Sequence, residues 1–227
     1  MTITWHLRLR KVTRGIMRTA FVAGAWVWGI RIRTQGTLAE ARPLMIVSNH
    51  FSYLDMFVLG SQVPAAFTPK REIRSWPVIG FMCKVSGCLF IDRRPASILA
   101  NKTTLDKSVS DGDIISLFPE GTTNEGTALL PFKSSLFSIA LERGMAVQPV
   151  SVAYTRLNGK PIDAATRPVV GWYGDALFFP HVITFLKQKH VDAEIVYHPP
   201  VRANDFASRK ELALYCHDVI EKALLQT

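Results

Sequence analysis

His50 and Asp55 stand five positions apart in Asn49-His50-Phe51-Ser52-Tyr53-Leu54-Asp55, directly after the apolar run Leu44-Met45-Ile46-Val47. An imidazole and a carboxylate at a strand end are the parts of a general base. The carboxylate holds one ring nitrogen protonated, and the other is left to take a proton from an alcohol. Five residues advance a helix by about 500°, so the two side chains cannot meet from one uninterrupted helix. The chain must turn between them. Ser52 offers that turn, capping a helix whose first turn holds Asp55 and leaving His50 in the preceding loop. The same Ser52-x-x-Asp55 spacing is also an ordinary cap signature, in which Asp55 does no more than satisfy backbone amides and the helix dipole.

Two further clusters carry polar chemistry. Leu117-Phe118-Pro119-Glu120-Gly121-Thr122-Thr123-Asn124 reads as a strand stopped by proline. Its glycine then allows close backbone approach, and hydroxyl and amide side chains follow. Such a loop binds the polar head of a substrate, with Glu120 accepting a hydroxyl hydrogen bond. Read structurally, Glu120-Gly121 is turn chemistry alone. Phe90-Ile91-Asp92-Arg93-Arg94 sets two arginines beyond a buried-looking strand. Arginine there suits bidentate recognition of phosphate or carboxylate, or simply solvates a strand end. Gly121-x4-Gly126 is not a phosphate loop, because Thr127 occupies the lysine position.

A Gly-x-Ser-x-Gly nucleophile elbow is missing, and Cys83 and Cys88 read as core residues. His6, His181, His190, His198 and His217 show no metal-ligand spacing, so neither a metal nor a cofactor is expected.

The elements that must position these groups alternate. Strands are predicted at 44–47, 65–69, 88–91, 113–118, 146–154 and 193–197. Helices are predicted at 54–61, 77–85, 95–110 and 132–143. The clearest helix is the last, where Ser208-Arg209-Lys210-Glu211 forms a capping box and Leu212, Tyr215, Val219 and Ala223 recur at helical spacing. The Gly-, Pro- and aromatic-rich stretch 157–181 reads as irregular and as a border of the substrate groove. Together these patterns predict an α/β fold, a layered mixed sheet flanked by helices.

The formal net charge of +9 points to a polyanionic partner: anionic lipid, nucleic acid, or an acidic carrier protein and phosphorylated substrates. Its distribution favours lipid. No acidic residue precedes Glu40, whereas Arg8, Arg10, Lys11, Arg14, Arg18, Arg31 and Arg33 all do. They flank an apolar run, Thr19 to Ile30, that is short of the roughly 18–20 residues needed to cross a bilayer. Basic flanks and tryptophans suit a helix lying among lipid headgroups; the plainer alternative is a helix packed on the protein's own core. Residues 1–33 are therefore read as a basic amphipathic membrane-docking segment whose removal weakens membrane partition more than folding. Residues 34–227 form the catalytic domain.

A secretory signal is disfavoured because cleavage at Ala23-Gly24-Ala25 would leave tryptophans on the new terminus. Three cysteines give no disulfide framework. The expected location is peripheral or monotopic, on the cytoplasmic face of the cell membrane. No nucleic-acid motif accompanies the charge.

Taken in order, these blocks resemble the glycerolipid (1-acylglycerol-3-phosphate) acyltransferase family over about Leu44 to Tyr154. Asn49-His50-x4-Asp55 matches its catalytic block, and Lys70-Arg71-Glu72, Trp76-Pro77 and Gly80 resemble the segment that follows. Gly87-x-x-Phe90-Ile91-Asp92-Arg93 matches its glycerophosphate block, Phe118-Pro119-Glu120-Gly121-Thr122 its third block, and Val147-x-Pro149-Val150 its apolar fourth. The resemblance implies an enzyme with His50 and Asp55 catalytic and Arg93, Glu120, Gly121, Thr122 and Lys133 binding substrate. It also implies an acyl-CoA or acyl-carrier protein donor and a lysolipid acceptor of the lysophosphatidic acid type.

One departure bears on the acceptor. Thr123 stands where phosphatidic-acid-forming members usually carry arginine. Leu130-Pro131-Phe132-Lys133 and Trp172-Tyr173-Gly174-Asp175 with Pro180-His181 look more like the lyso-ornithine lipid acyltransferase branch. The rival readings are a non-catalytic lipid-binding membrane protein, a nucleic-acid binder, and a hydrolase using the same His–Asp pair.

Overall fold

The computed structural model describes residues 2–76, 79–85, 87–91, 105–106 and 108–226, with backbone alone for 2–11, 79, 82 and 85. Its centre is an eight-stranded mixed sheet, in which β6 and β8 both pair with β5 beside the order β1-β7-β5-β2-β4-β3. The strands are β1 Ile30–Gln35, β2 Leu44–Ser48, β3 Ala66–Phe67, β4 Ile114–Leu117, β5 Ala146–Leu157, β6 Lys160–Pro161, β7 Val191–Tyr197 and β8 Val201–Arg202.

β2 lies parallel to both β4 and β5, with Leu44 opposite Ile114 on one side and Ala146 on the other. Every residue of β2 is buried. Alternation along it divides the core: Leu44 and Ile46 belong to one apolar cluster, Met45 and Val47 to another. Successive strand side chains point to opposite faces, so the clusters are the sheet's two covered sides. This is the layered α/β arrangement read from the pattern.

Helices cover both sides. α1 (Thr2–Val27) and α2 (Asp55–Gln62) lie over the first cluster, and the C-terminal helix Arg209–Leu224 over the second. Its capping box forms: Ser208 Oγ accepts from the Glu211 amide at 3.2 Å, and Glu211 Oε2 accepts from the Ala207 amide at 2.8 Å.

α1 uses two faces differently. Met17, Phe21 and Ala25, at helical spacing, are buried. Phe21 meets the edges of Phe57 and Phe67 with centroids 5.9 and 5.8 Å apart. Arg14 pairs with Asp113, and Arg18 Nε donates to the Ser61 carbonyl at 3.0 Å. The other face exposes Ile16, Val22, Trp26 and Val27. Among the described residues no helix is long and apolar enough to cross a membrane.

Several sequence expectations are corrected. The charge reading passed over β1, where Ile30 and Ile32 alternate with Arg31 and Arg33 as in a half-covered strand, and which pairs with β7 across position 33. Deleting residues 1–33 would therefore remove a core stripe and most of a strand, not a detachable anchor. Residues 88–91 run beside β3, the Leu89 amide reaching the Phe67 carbonyl at 2.8 Å, but form no strand beyond a parallel bridge between Lys70 and Ile91. The Ile91 amide reaches the Pro69 carbonyl at 3.0 Å, but proline has no N–H to extend the ladder. Residues 132–143 begin not as α-helix but as a 3₁₀ turn, Ser134–Phe137, followed by the short helix Ser138–Glu142. Most of the predicted helix 95–110 lies outside the described residues.

Candidate active site

β2 ends at Ser48, and the next side chain continues its ladder. Asn49 Nδ2 donates to the Val152 carbonyl and Asn49 Oδ1 accepts from the Val152 amide, both at 2.8 Å. The side-chain amide thus replaces a backbone rung to β5 and frees the chain to turn at His50.

Asp55 sits at the start of α2, fully buried. Its Oδ2 accepts from His50 Nδ1 at 2.8 Å, from the Phe51 amide at 2.8 Å and from the Ser52 amide at 3.0 Å, while Oδ1 accepts from the Tyr154 hydroxyl at 2.7 Å. These donors are what make a buried carboxylate tolerable. The cap therefore runs opposite to expectation. Asp55 caps the loop amides, and Ser52 Oγ has no hydrogen-bond partner among the described residues. Satisfying backbone and holding the imidazole are one role here, not two.

A carboxylate only accepts, so Nδ1 carries the proton and Nε2 presents its lone pair. The His50 ring stacks on Phe118 at 4.2 Å between centroids and 18° between planes, which fixes its orientation. Burial, and then the charge of Asp55, push the Tyr154 phenol well above its ordinary pKa, so it stays a donor.

His50 lines a groove of about 710 Å³ together with Gly121, Thr122, Thr123 and Lys133. The rest of its wall is largely apolar, including Met56, Trp76 and Phe178. Gly121 makes the turn into the groove at φ +79°, a conformation that favours glycine. A second cavity of about 380 Å³, bordered by Asn124, Thr155 and Arg167, reaches His50 from another side. Of the residues named from the sequence, Gly121, Thr122 and Lys133 share this groove with His50. Arg93 lies outside the described residues.

Glu120 is the correction. It is 3% exposed and lines neither cavity. Its Oε1 accepts from the His50 amide at 2.7 Å; its Oε2 accepts from the Leu130 amide at 3.1 Å and from Asn124 Nδ2. Burial raises its pKa, opposed by those amides, the nearby His50 and Asn124. Instead of reaching a substrate hydroxyl, Glu120 ties the loop to the backbone of the histidine.

His181, set aside as a scattered histidine, anchors one groove wall. Its Nε2 lies 2.9 Å from the Gly171 carbonyl and its Nδ1 3.2 Å from the Tyr53 hydroxyl. Burial lowers its pKa, in keeping with a neutral ring that donates to the carbonyl and accepts from the phenol. Sequence reasoning also gave no role to Tyr154 or Asn49. The apolar fourth block pointed to the strand of Tyr154 but not to the partner of its hydroxyl. The candidate metal group among the described residues is His217, Asp218 and Glu221, with ligand atoms within 4.8 Å of one another on the C-terminal helix.

Such a site can take a proton from a hydroxyl held in the groove while that oxygen attacks an activated carbonyl. Comparisons with known proteins agree with this chemistry. A profile of the acyltransferase family matches residues 29–153. The chain is 37% identical to the lyso-ornithine lipid O-acyltransferase of Brucella abortus over 211 residues, covering 89% of this chain and 79% of that protein. It is 36% identical over 118 residues to the 1-acyl-sn-glycerol-3-phosphate acyltransferase of Neisseria gonorrhoeae, covering 52% of this chain and 46% of that one. The crystal structure of the 1-acyl-sn-glycerophosphate acyltransferase of Thermotoga maritima shares the fold, with a TM-score of 0.67 at 21% identity over 96% of this chain and 78% of that one. Since the matched profile spans both the His50–Asp55 pair and the Glu120 loop, the chain belongs to the acyltransferase family.

Proposed function

We propose that the protein is a membrane-associated O-acyltransferase that moves a fatty acyl group from an acyl thioester to the free hydroxyl of a lysolipid, with lyso-ornithine lipid as the preferred acceptor. The observation that carries the reaction is the Asp55-held His50 in one groove with Lys133 and Thr122. His50 Nε2 removes the acceptor hydroxyl proton as that oxygen attacks the thioester carbonyl. The tetrahedral intermediate then expels the thiolate, and the imidazolium returns the proton to it, giving ester and free thiol. Asp55 supports the imidazolium. A thioester is already activated, so no enzyme nucleophile is needed. A positioned base contributes about 10²–10⁴-fold, and orientation in the groove adds to it.

Lys133 pairs with the acceptor's anionic group, and Thr122 bonds its polar head. Thr123, in place of the usual arginine, suits an amino-acid headgroup more than a phosphate. The relatives support the same choice. An alignment over 89% of this chain necessarily includes the groove residues Trp172 and Phe178. Lysophosphatidic acid is the second reading, favoured by the Neisseria relative and by Lys133. The donor is acyl-CoA or acyl-carrier protein, met at the cytoplasmic face. The outward apolar side of α1 and the +9 charge hold the enzyme to anionic lipid.

The test supplies purified protein with labelled acyl-carrier protein or acyl-CoA and vesicles carrying either lysolipid. Diacylated ornithine lipid as the main product supports the preferred acceptor, and phosphatidic acid as the main product replaces it. Vesicle binding without transfer to either would make the protein a lipid-binding module, and release of free fatty acid would make it a hydrolase.

A further inference from the structure

We infer that the helix Phe178–Leu186 is a second membrane-docking element, one that sets the mouth of the groove against the bilayer so that the lysolipid enters without crossing water. The inference rests on the proposed membrane-associated lysolipid chemistry. The helix divides sharply. His181 and Phe185 are buried, and Phe178 points into the groove, with its ring 5.6 Å from Trp172 and 5.1 Å from Tyr53. On the outer side Leu177, Phe179, Ile183 and Leu186 are 72, 73, 57 and 52% exposed. Phe179, Ile183 and Leu186 share one helical face, with Leu177 just before the helix; large apolar side chains exposed together in this way mark an interaction site.

Three observations identify the occupant as lipid. First, the patch is continuous with the groove: Trp76, itself 38% exposed, packs against Phe178 at 6.0 Å. The next helix, Ile79–Val85, exposes Phe81 at 69%. Second, Phe185 lies 5.7 Å from the ring of Trp28, just beyond α1, where Trp26 and Val27 are 82 and 65% exposed. The helix therefore packs beside the C-terminal end of α1, the end that exposes those two side chains. Third, the segment from Leu177 to Lys189 contains no acidic residue and ends in exposed Lys187 and Lys189. Basic residues beside an apolar helix face match an anionic interface. Thr184, the polar side chain of the outer face, spends its hydroxyl on the Pro180 carbonyl at 3.0 Å, so that face offers little to a protein partner.

The test uses the full chain carrying Leu177→Gln, Phe179→Gln and Ile183→Gln together, with a single Phe179→Glu protein in case the triple variant folds poorly. Co-sedimentation with phosphatidylcholine–phosphatidylglycerol vesicles is expected to weaken about tenfold or more, with the apparent KM for bilayer-borne acceptor rising in parallel. Turnover of acceptor dispersed in detergent micelles should stay at the wild-type rate. Unchanged partition in a folded variant overturns the inference, as does unchanged partition with lost binding to acyl-carrier protein, which would make the helix a protein dock. Failure of the underlying function looks different: the wild-type protein itself would neither bind vesicles nor acylate.

Discussion

Tyr154 donates to Asp55 Oδ1 at 2.7 Å while Asp55 Oδ2 accepts the His50 imidazole at 2.8 Å, so one buried carboxylate joins β5 to the loop after β2. The phenol bonds the carboxylate rather than the imidazole; it fixes the group that fixes the base. Removing it with Tyr154→Phe keeps the ring contact with Phe51 and deletes one hydrogen bond to a charged group, worth about 1.5–3 kcal/mol. The expected result is a kcat lower by roughly ten- to a hundredfold, converting that energy at 1.4 kcal/mol per decade, with KM for the acceptor little changed. Initial-rate kinetics check this. A raised KM at unaltered kcat would place Tyr154 in substrate binding instead.

Glu120 gives a pH signature. The unfolded chain titrates this group near 4.5, and burial raises it in the fold. Between those two values the folded protein keeps a proton that the unfolded chain has lost. Stability linked to Glu120 is therefore fully present below about pH 4.5 and is lost as pH rises through the raised value. The difference in Tm, wild type minus Glu120→Gln, should fall as pH rises from 4.5 toward neutrality. A pH-independent difference in thermal melts would contradict the assignment.

Phe21 tests whether α1 belongs to the core. Its ring is 9% exposed and packs on α2. Phe21→Ala should cost about 3 kcal/mol or more, read as a lower denaturation midpoint at unchanged slope. A loss within about 0.5 kcal/mol, typical of surface substitutions, would return α1 to the status of a loose anchor.

Lys133 addresses the headgroup. Lys133→Met keeps the aliphatic stem and removes the charge from the groove. KM for the anionic acceptor should rise about tenfold, with a smaller effect on kcat, because a uniform binding contact is lost. Equal losses in kcat and kcat/KM would instead assign the lysine to transition-state stabilisation.

What the sequence revealed about this site followed the range of the interactions. The His50–Asp55 pair was legible because a five-residue turn is local, although the direction of its cap was not. Gly121, Thr122 and Lys133 could be placed because one loop carries them to the groove. The roles of Asn49 and Tyr154 depend on β2 lying beside β5, a pairing that spacing along the chain does not encode. Glu120 was misread for a related reason: the Pro-Glu-Gly turn is visible, but the His50 amide that needs its carboxylate is contributed by another strand end. β1 was hidden because its alternating arginines made a charge argument more conspicuous than a period-two pattern.

The central claim is that His50 is the base, and the most direct measurement compares His50→Ala with wild type in acyl transfer to vesicle-borne lysolipid, alongside vesicle co-sedimentation. The expected result is a loss of turnover by about 10²-fold at least, with vesicle binding and Tm nearly retained. Turnover within a few-fold of wild type by a folded, vesicle-bound His50→Ala protein would contradict it.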